Sequence, residues 1–279
     1  MSASTGITSP SAGMIEQLLP ALLMAAILMS VVPVPDAAAA GSPAARLPEL
    51  TVIESSEAGV SLSFALPELK LEPAEAGGRR FTLATIPGGS LAGEVGQPAI
   101  PTFTRLVAIP NRSGVRVTVT PEQEEILTGH QLLPMQPDEG EAFAYDVAAY
   151  SRQGYGDRPL AREGGPAVLR DLRTVPVTFS PVQFDPAAGK IRVVRRMRVD
   201  VEFAGVDLRN TTQDRERPLT PSFYNLYRQT VANFPEMNAG ELVPGTYLIV
   251  CPDNSSVVDR LQPLVEWRER KGNPVILAT

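Results

Sequence analysis

Cysteine and histidine are almost missing from this sequence of 279 residues, which has one of each, Cys251 and His130. A single cysteine excludes an internal disulfide and a thiolate metal cluster. A single histidine excludes any mechanism that needs two imidazole groups and any zinc site built mainly on histidine. Basic residues are also few: 25 stand against 31 acidic residues, for a net charge of −6. Because clustered cations drive phosphate binding, this balance argues against nucleic acid as a partner.

What the sequence does contain is typical of a folded, β-rich protein. Hydrophobic residues make up 43% and charged residues 20%, which excludes wholesale disorder and collagen-like repetition. The 27 prolines favour strand ends and turns over a helical bundle. The length is enough for about two domains.

The N-terminal segment has the pattern of a secretory signal. Leu18–Val34 is almost uninterruptedly apolar, and the small residues Ala37–Ala40 follow it as a cleavage region. We therefore predict a signal peptide over 1–40, a flexible N-terminus over 41–49, and a secreted, extracellular or periplasmic location for the rest. No lysine or arginine precedes Arg46, so an uncleaved membrane anchor and a misassigned start remain alternatives.

Alternating apolar residues over 50–204 predict a β-sandwich. Val60–Leu66 and Val115–Thr120 each place apolar side chains at every second position, as half-buried strands do. Phe81–Ile86 and Phe103–Ile109 are further strand candidates, and the latter, apolar on both faces, is expected to be central.

The clearest predicted element is a long hairpin over Val175–Phe203. The sequence Asp185–Lys190 has the residues of a tight turn. A phase change at Ser180-Pro181 predicts a bulge within the first arm. In the second arm Arg195 falls on the apolar side, as an exception to the alternation.

The last part of the chain changes character. Residues 205–244 predict a polar linker with a short helix around Phe223–Tyr227. Residues 245–279 predict a strand, a helix and a second strand, which is how an α/β domain begins. About 35 residues cannot bury a doubly covered sheet, so we expect the natural polypeptide to continue.

Four stretches carry a resemblance to a known family: the hairpin Val175–Val193, the Gly-Glu-Val-Gly-Gln-Pro-Ala-Ile-Pro sequence of Gly93–Pro101, Ala167–Arg173, and Thr246–Thr279. With them the chain resembles the precursor of the gingipain family of secreted cysteine endopeptidases. The resemblance implies a β-sandwich prodomain over about 50–235, followed by the start of a caspase-like catalytic domain. Family prodomains keep the peptidase latent, assist its folding, and are removed by cleavage after basic residues.

The resemblance also implies that the catalytic residues lie elsewhere. The family uses a cysteine thiolate activated by a histidine, and both belong downstream of the first β-α-β unit. Cys251 is in the first strand of that unit and does not match the nucleophile, and His130 is in the β domain. We therefore predict a parent protein that is a cysteine endopeptidase and a chain that is itself inactive. No cofactor and no metal site are implied.

A polar loop over Ser151–Gly165 holds the candidate inhibitory residues Arg152, Arg158 and Arg162. A latency device for a peptidase that cuts after basic residues could place one of these guanidinium groups in the specificity pocket, where a carboxylate would bind it at two points. The alternative is a loop that only joins two strands.

Three further arginines are candidate activation sites: Arg215, Arg217 and Arg228. Exposed polar linkers are where proteases cut.

The expected partner is the cognate peptidase domain of the same polypeptide, with no nucleic acid, and with a membrane only through the N-terminal segment. The alternative function is a secreted or cell-surface β-sandwich module for binding or adhesion, without protease activity. A membrane-anchored structural protein is a third, if the N-terminal segment is never cleaved.

Overall fold

The structure is a computed structural model that describes residues 45–138, 140–212 and 218–279. The predicted signal peptide and the candidate cleavage residues Arg215 and Arg217 lie outside these ranges. Among the helices of the described residues, none is long and apolar enough to cross a membrane.

The first of two large sheets has five antiparallel strands. They are β1 (Glu49–Ser56), β2 (Gly59–Ala65), β7 (Ser113–Thr128), β11 (Val182–Asp185) and β12 (Lys190–Val206). β12 is the central strand: β7 pairs along one edge, while β11 and β2 pair with successive parts of the other.

The second large sheet also has five strands. They are β5 (Ser90–Ala92), β6 (Ile100–Ala108), β8 (Ala161–Glu163), β9 (Ala167–Leu169) and β10 (Leu172–Phe179). β6 lies between β5 and β10, and β8 and β9 pair with different parts of β10. The central place expected for Phe103–Ile109 agrees with the position of β6.

The buried faces of the two sheets meet in one hydrophobic core. Phe64 of β2 stacks on Phe179 of β10 with ring centroids 4.8 Å apart, and Phe103 of β6 packs beside both rings. The alternating residues of β2 and β12 are the ones buried, as their period of two predicts. The prediction of a mainly β fold is confirmed.

The prediction of a long hairpin over Val175–Phe203, however, is wrong in its first arm. Ser180-Pro181 does not form a bulge within a strand, because the chain there leaves β10 in the second sheet and enters β11 in the first. The carbonyl of Pro181 accepts a hydrogen bond of 2.8 Å from the Val194 amide. Proline has no amide proton to give to a ladder, so this position suits a crossing between layers.

Arg195 is likewise not on the apolar side. The register of β12 against β7 shifts between Val194 and Arg196, so Val193 and Val194 are both buried. The bulge turns Arg195 outward, where its Nε donates to Glu125 Oε1 at 2.7 Å. Strict alternation could not anticipate this extra residue.

Smaller elements complete the body. β3 (Lys70–Ala76) and β4 (Arg79–Thr85) form a hairpin, and α1 (Val147–Tyr150) is a single turn capped by Asp146. The predicted short helix is α2 (Pro221–Thr230), which is followed by a 3₁₀ turn at Ala239–Glu241.

The C-terminal residues form a β-α-β unit. β13 (Tyr247–Val250) and β14 (Val275–Ala278) pair in parallel, joined by α3 (Ser255–Arg270). The Asn254 side chain caps α3 by accepting a hydrogen bond from the Ser256 amide at 2.9 Å. In the described part of the chain these two strands pair only with each other.

Candidate functional site

A cleft of about 610 Å³ lies beside the junction of the two sheets. One wall is the segment Gly93–Pro98 and the other is the loop that follows α1, with residues of β11 as the floor. Its polar side chains are those of Glu94, Gln97, Arg152, Tyr155, Asp157, Arg158, Arg162 and Gln183. The structure therefore brings the three candidate inhibitory arginines into one cleft with Gly93–Pro98. This segment is part of one of the four stretches that carry the family resemblance.

Backbone hydrogen bonds fix the first wall. The Gly96 amide donates to Met135 O at 2.8 Å, and the Met135 amide donates to Gln97 O at the same distance. Gly96 has a φ of +86°, and a Cβ there would come within 3.1 Å of the Asp146 amide nitrogen. The positive φ angle and the short distance to Asp146, the cap of α1, explain why this position is glycine.

Arg152 is presented on a rigid stretch of backbone. It follows α1, whose cap Asp146 accepts hydrogen bonds from Ala148 and Ala149. The carbonyl of Arg152 accepts a hydrogen bond of 3.2 Å from Ala187, in the turn between β11 and β12. Arg152 is exposed, while its backbone is held by these contacts.

Arg158 is the half-buried member of the group. Gln183 Nε2 on β11 donates to its carbonyl at 2.9 Å, and Gln183 Oε1 accepts from Arg192 at 2.8 Å. Burial, and secondarily the positive charge of Arg162, lower the pKa of the Arg158 guanidinium. Arg158 and Arg162 both line the cleft.

Arg162 belongs to β8 rather than to a loop. It is opposite Thr178 of β10 in the antiparallel register, and its side chain is exposed. The sequence grouped Arg152, Arg158 and Arg162 by closeness along the chain. The opposite wall and floor, with Glu94, Gln97 and Gln183, could not be found this way, because they are distant in sequence.

The remaining candidate residues are apart from the cleft. Arg228 is in the last turn of α2 and forms an ion pair with Glu236 at 2.8 Å. His130 has its Nδ1 3.2 Å from Thr82 Oγ1 of β4. Cys251 directly follows β13, where its amide donates to Ala278 O at 3.0 Å.

Comparison with known proteins gives one family and several relatives. The family model described as Propeptide_C25 matches residues 42–239. Lys-gingipain HG66 of Porphyromonas gingivalis is 28% identical over 222 residues, which are 75% of this chain and 13% of that protein. The chain thus spans only about 13% of the length of the curated relatives it matches first.

Two solved structures share the architecture. One, on the zymogenic latency of gingipain K from Porphyromonas gingivalis, is 29% identical with a TM-score of 0.52, over 58% of this chain and 95% of that one. The other is a complex of the pro- and mature domains of RgpB from the same organism, at 20% identity and a TM-score of 0.58, over 67% of this chain and 98% of that one. At that lower identity the second supports the fold alone.

Proposed function

Because the chain belongs to the Propeptide_C25 family, we propose that it is the N-terminal propeptide of a secreted, gingipain-like cysteine endopeptidase zymogen. In this role it keeps the peptidase domain latent and assists its folding. The family match over 42–239 carries the proposal, and the similarity to the gingipain K structure that concerns zymogenic latency supports it.

The proposed domain order is a signal peptide over 1–40, a short N-terminal stretch over 41–49 that ends at the first residue of β1, a two-sheet prodomain over 50–204, a connecting region over 205–244, and the first β-α-β of a caspase-like domain over 245–279. The parallel pairing of β13 and β14 supports the last assignment. One face of this pair is bare: Leu248, Val250 and Ile276 are 60%, 75% and 54% exposed. Parallel sheets are covered on both faces, so further elements of the same domain would cover it. The predicted signal places the mature protein outside the cytoplasm.

Within the candidate inhibitory loop, the geometry favours Arg152 as the residue that enters the specificity pocket of the peptidase. Its side chain is exposed while its backbone is held by α1 and by Ala187. Because the backbone is already held, binding has to order only the side chain itself. A carboxylate at the bottom of the pocket would receive the guanidinium group at two points.

Activation cleavage is proposed after Arg215 or Arg217. Arg228 is the weaker candidate, because a protease needs an extended substrate and Arg228 is helical. No residue of the catalytic pair is assigned to this chain, so we propose that it has no peptidase activity. Hydrolysis of an Arg or Lys peptide by the purified chain, abolished by Cys251→Ala, would overturn that.

The test is inhibition by the purified chain. Lys-gingipain and the mature domain of RgpB are assayed on Lys and Arg peptide substrates at rising concentrations of the chain. We expect saturable inhibition of at least one enzyme, weakened at least about tenfold by Arg152→Ala. Arg112→Ala, which removes an exposed arginine of the β6–β7 turn, is the matched control and should inhibit as the unchanged chain does. A folded chain that inhibits neither enzyme contradicts the proposal and favours a binding or adhesion module.

A further inference from the structure

We propose that Arg158 and Arg162 form a carboxylate-binding site that docks an acidic segment of the peptidase domain, separately from Arg152. This inference rests on the proposed latency function. Arg158 and Arg162 would bind the peptidase domain, while Arg152 enters its specificity pocket.

Arg158 and Arg162, which line the same cleft, differ in their pairing from most arginines of β12. Three arginines of β12 have carboxylate partners: Arg192 pairs with Glu124, Arg195 with Glu125, and Arg198 with Asp200. Arg196 has none in the described part of the chain. In the described part of the chain, neither Arg158 nor Arg162 forms an ion pair. Guanidinium groups are the side chains best suited to bind carboxylates at two points.

Their surroundings make the missing partner costly. Arg158 is half-buried, with a like charge nearby that helps to lower its pKa. A buried cation beside another cation is disfavoured unless an anion compensates it. A carboxylate bound in the cleft would offset the like charge that disfavours the Arg158 cation.

The cleft also has the size and the polarity for a short peptide segment. Its volume of about 610 Å³ is within the range of ligand-binding clefts. Two carboxylates, those of Glu94 and Asp157, lie on its walls. Glu94 accepts a hydrogen bond from Gln97 Nε2 at 3.0 Å, so it is already engaged. Together they would repel a long polyanion, and a single acidic side chain aimed at the arginines fits better.

Arg158 and Arg162 are poorly placed to act as the inhibitory side chain themselves. Arg158 is half-buried, and its carbonyl accepts a hydrogen bond from Gln183. Arg162 lies in the ladder of β8 with β10. Arg162 is exposed like Arg152, but it lies on a strand, whereas Arg152 lies in the loop that follows α1. We therefore assign Arg152 to the specificity pocket, and Arg158 and Arg162 to the carboxylate-binding site.

The experiment measures both affinity and maximal inhibition for the enzyme that the unchanged chain inhibits most strongly. The double variant R158A/R162A is compared with R112A/R196A, which removes two exposed arginines away from the cleft. Far-ultraviolet circular dichroism and urea unfolding check that each variant is folded. The variant R158K/R162K keeps both charges without the planar fork.

We expect R158A/R162A to bind about ten- to a hundredfold more weakly, with a shallower dependence of affinity on salt. Inhibition at saturation should stay complete, because Arg152 is intact. R158K/R162K should recover part of the affinity, and R112A/R196A should bind as the unchanged chain does.

Equal affinity and equal salt dependence for R158A/R162A would overturn the docking site. Loss of inhibition at saturation would also overturn it, since one of the pair would then be the inserted residue. An unchanged chain that does not inhibit at all refutes the proposed function instead.

Discussion

The hydroxyl of Tyr227 donates a hydrogen bond to the carboxylate of Asp171 and so joins α2 to the turn between β9 and β10. Tyr227 is only 2% exposed, and burial together with Asp171 raises the pKa of its phenol. Asn233, just beyond α2, exchanges two hydrogen bonds with the backbone of Ala108 at the end of β6. These contacts make α2 part of the two-sheet body, although it lies within the region predicted as a linker.

Removal of the Tyr227 hydroxyl should therefore loosen α2. Tyr227→Phe is expected to lower the free energy of unfolding by about 1–2 kcal/mol and to speed tryptic cleavage after Arg228. The reason is that cleavage there requires α2 to open. Urea unfolding and mass spectrometry of timed digests measure the two effects.

Tyr224→Phe on the same helix is the control for that change, because the Tyr224 hydroxyl only accepts a longer hydrogen bond of 3.3 Å from Met237. It should leave the digestion rate nearly unchanged. Rapid cleavage after Arg228 in the unchanged chain would show that α2 is not held as described.

Arg173 is a buried cation that ties three segments together. It is 2% exposed and donates five hydrogen bonds to the carbonyls of Pro110, Ser113, Asp207 and Arg209. Arg173→Ala leaves those carbonyls without their donor, and we expect a loss of about 2–4 kcal/mol in the free energy of unfolding. Arg173→Lys keeps the charge but has at most three donors, so its loss should be intermediate. Urea unfolding measures the stability of both variants. If Arg173→Ala were as stable as Arg196→Ala, Arg173 would not stabilise the fold through these hydrogen bonds.

The stacked rings of Phe64 and Phe179 join the two sheets. Phe179→Ala should cost about 3–5 kcal/mol, because it removes a buried ring and leaves a cavity between the layers. Phe179→Leu, which keeps most of the volume, should cost less. Val206→Ala, at a side chain that is 79% exposed, should change stability by no more than about 0.5 kcal/mol. Thermal and urea unfolding compare the three, and a similar cost for all would mean that the sheets do not share this core.

Acid should destabilise the protein through carboxylates held in their charged form. Hydrogen bonds from Arg209 lower the pKa of Asp207 from 3.8 to about 2, and Arg192 lowers the pKa of Glu124. Because the folded pKa is the lower one, the unfolded chain binds more protons, and stability is lost as the pH falls. For Asp207 that stability is present above about pH 4 and disappears towards about pH 2.

The pH prediction is checked by urea unfolding between pH 2 and 7. Asp207→Asn should be less stable than the unchanged chain at neutral pH. The difference should shrink as the pH approaches 2, where the carboxyl group is protonated in the unfolded state and about half protonated in the folded state. If the difference grew on acidification, the pKa of Asp207 would not be lowered by folding.

Much of the β architecture could be predicted from local pattern. The alternation in β2, β7 and β12 identified the strands and their buried faces, and the turn at Asp185–Lys190 was located by its residue types. The resemblance to gingipain precursors, stated from four short stretches, is confirmed by the family match over 42–239. The errors came where one residue changes the register, as at Arg195, or where the chain changes layers, as at Ser180-Pro181.

The sequence by itself determined which segments are strands, because a period of two in apolar residues is a local property of the chain. It also determined that these 279 residues contain one cysteine and one histidine, Cys251 and His130. Only the tertiary structure decided which sheet each strand joins, that Tyr227 fixes α2 to the body, and that Gly93–Pro98 faces Arg152, Arg158 and Arg162 across one cleft. These relationships depend on contacts between residues far apart in sequence, and such contacts are set by the packing of the whole chain.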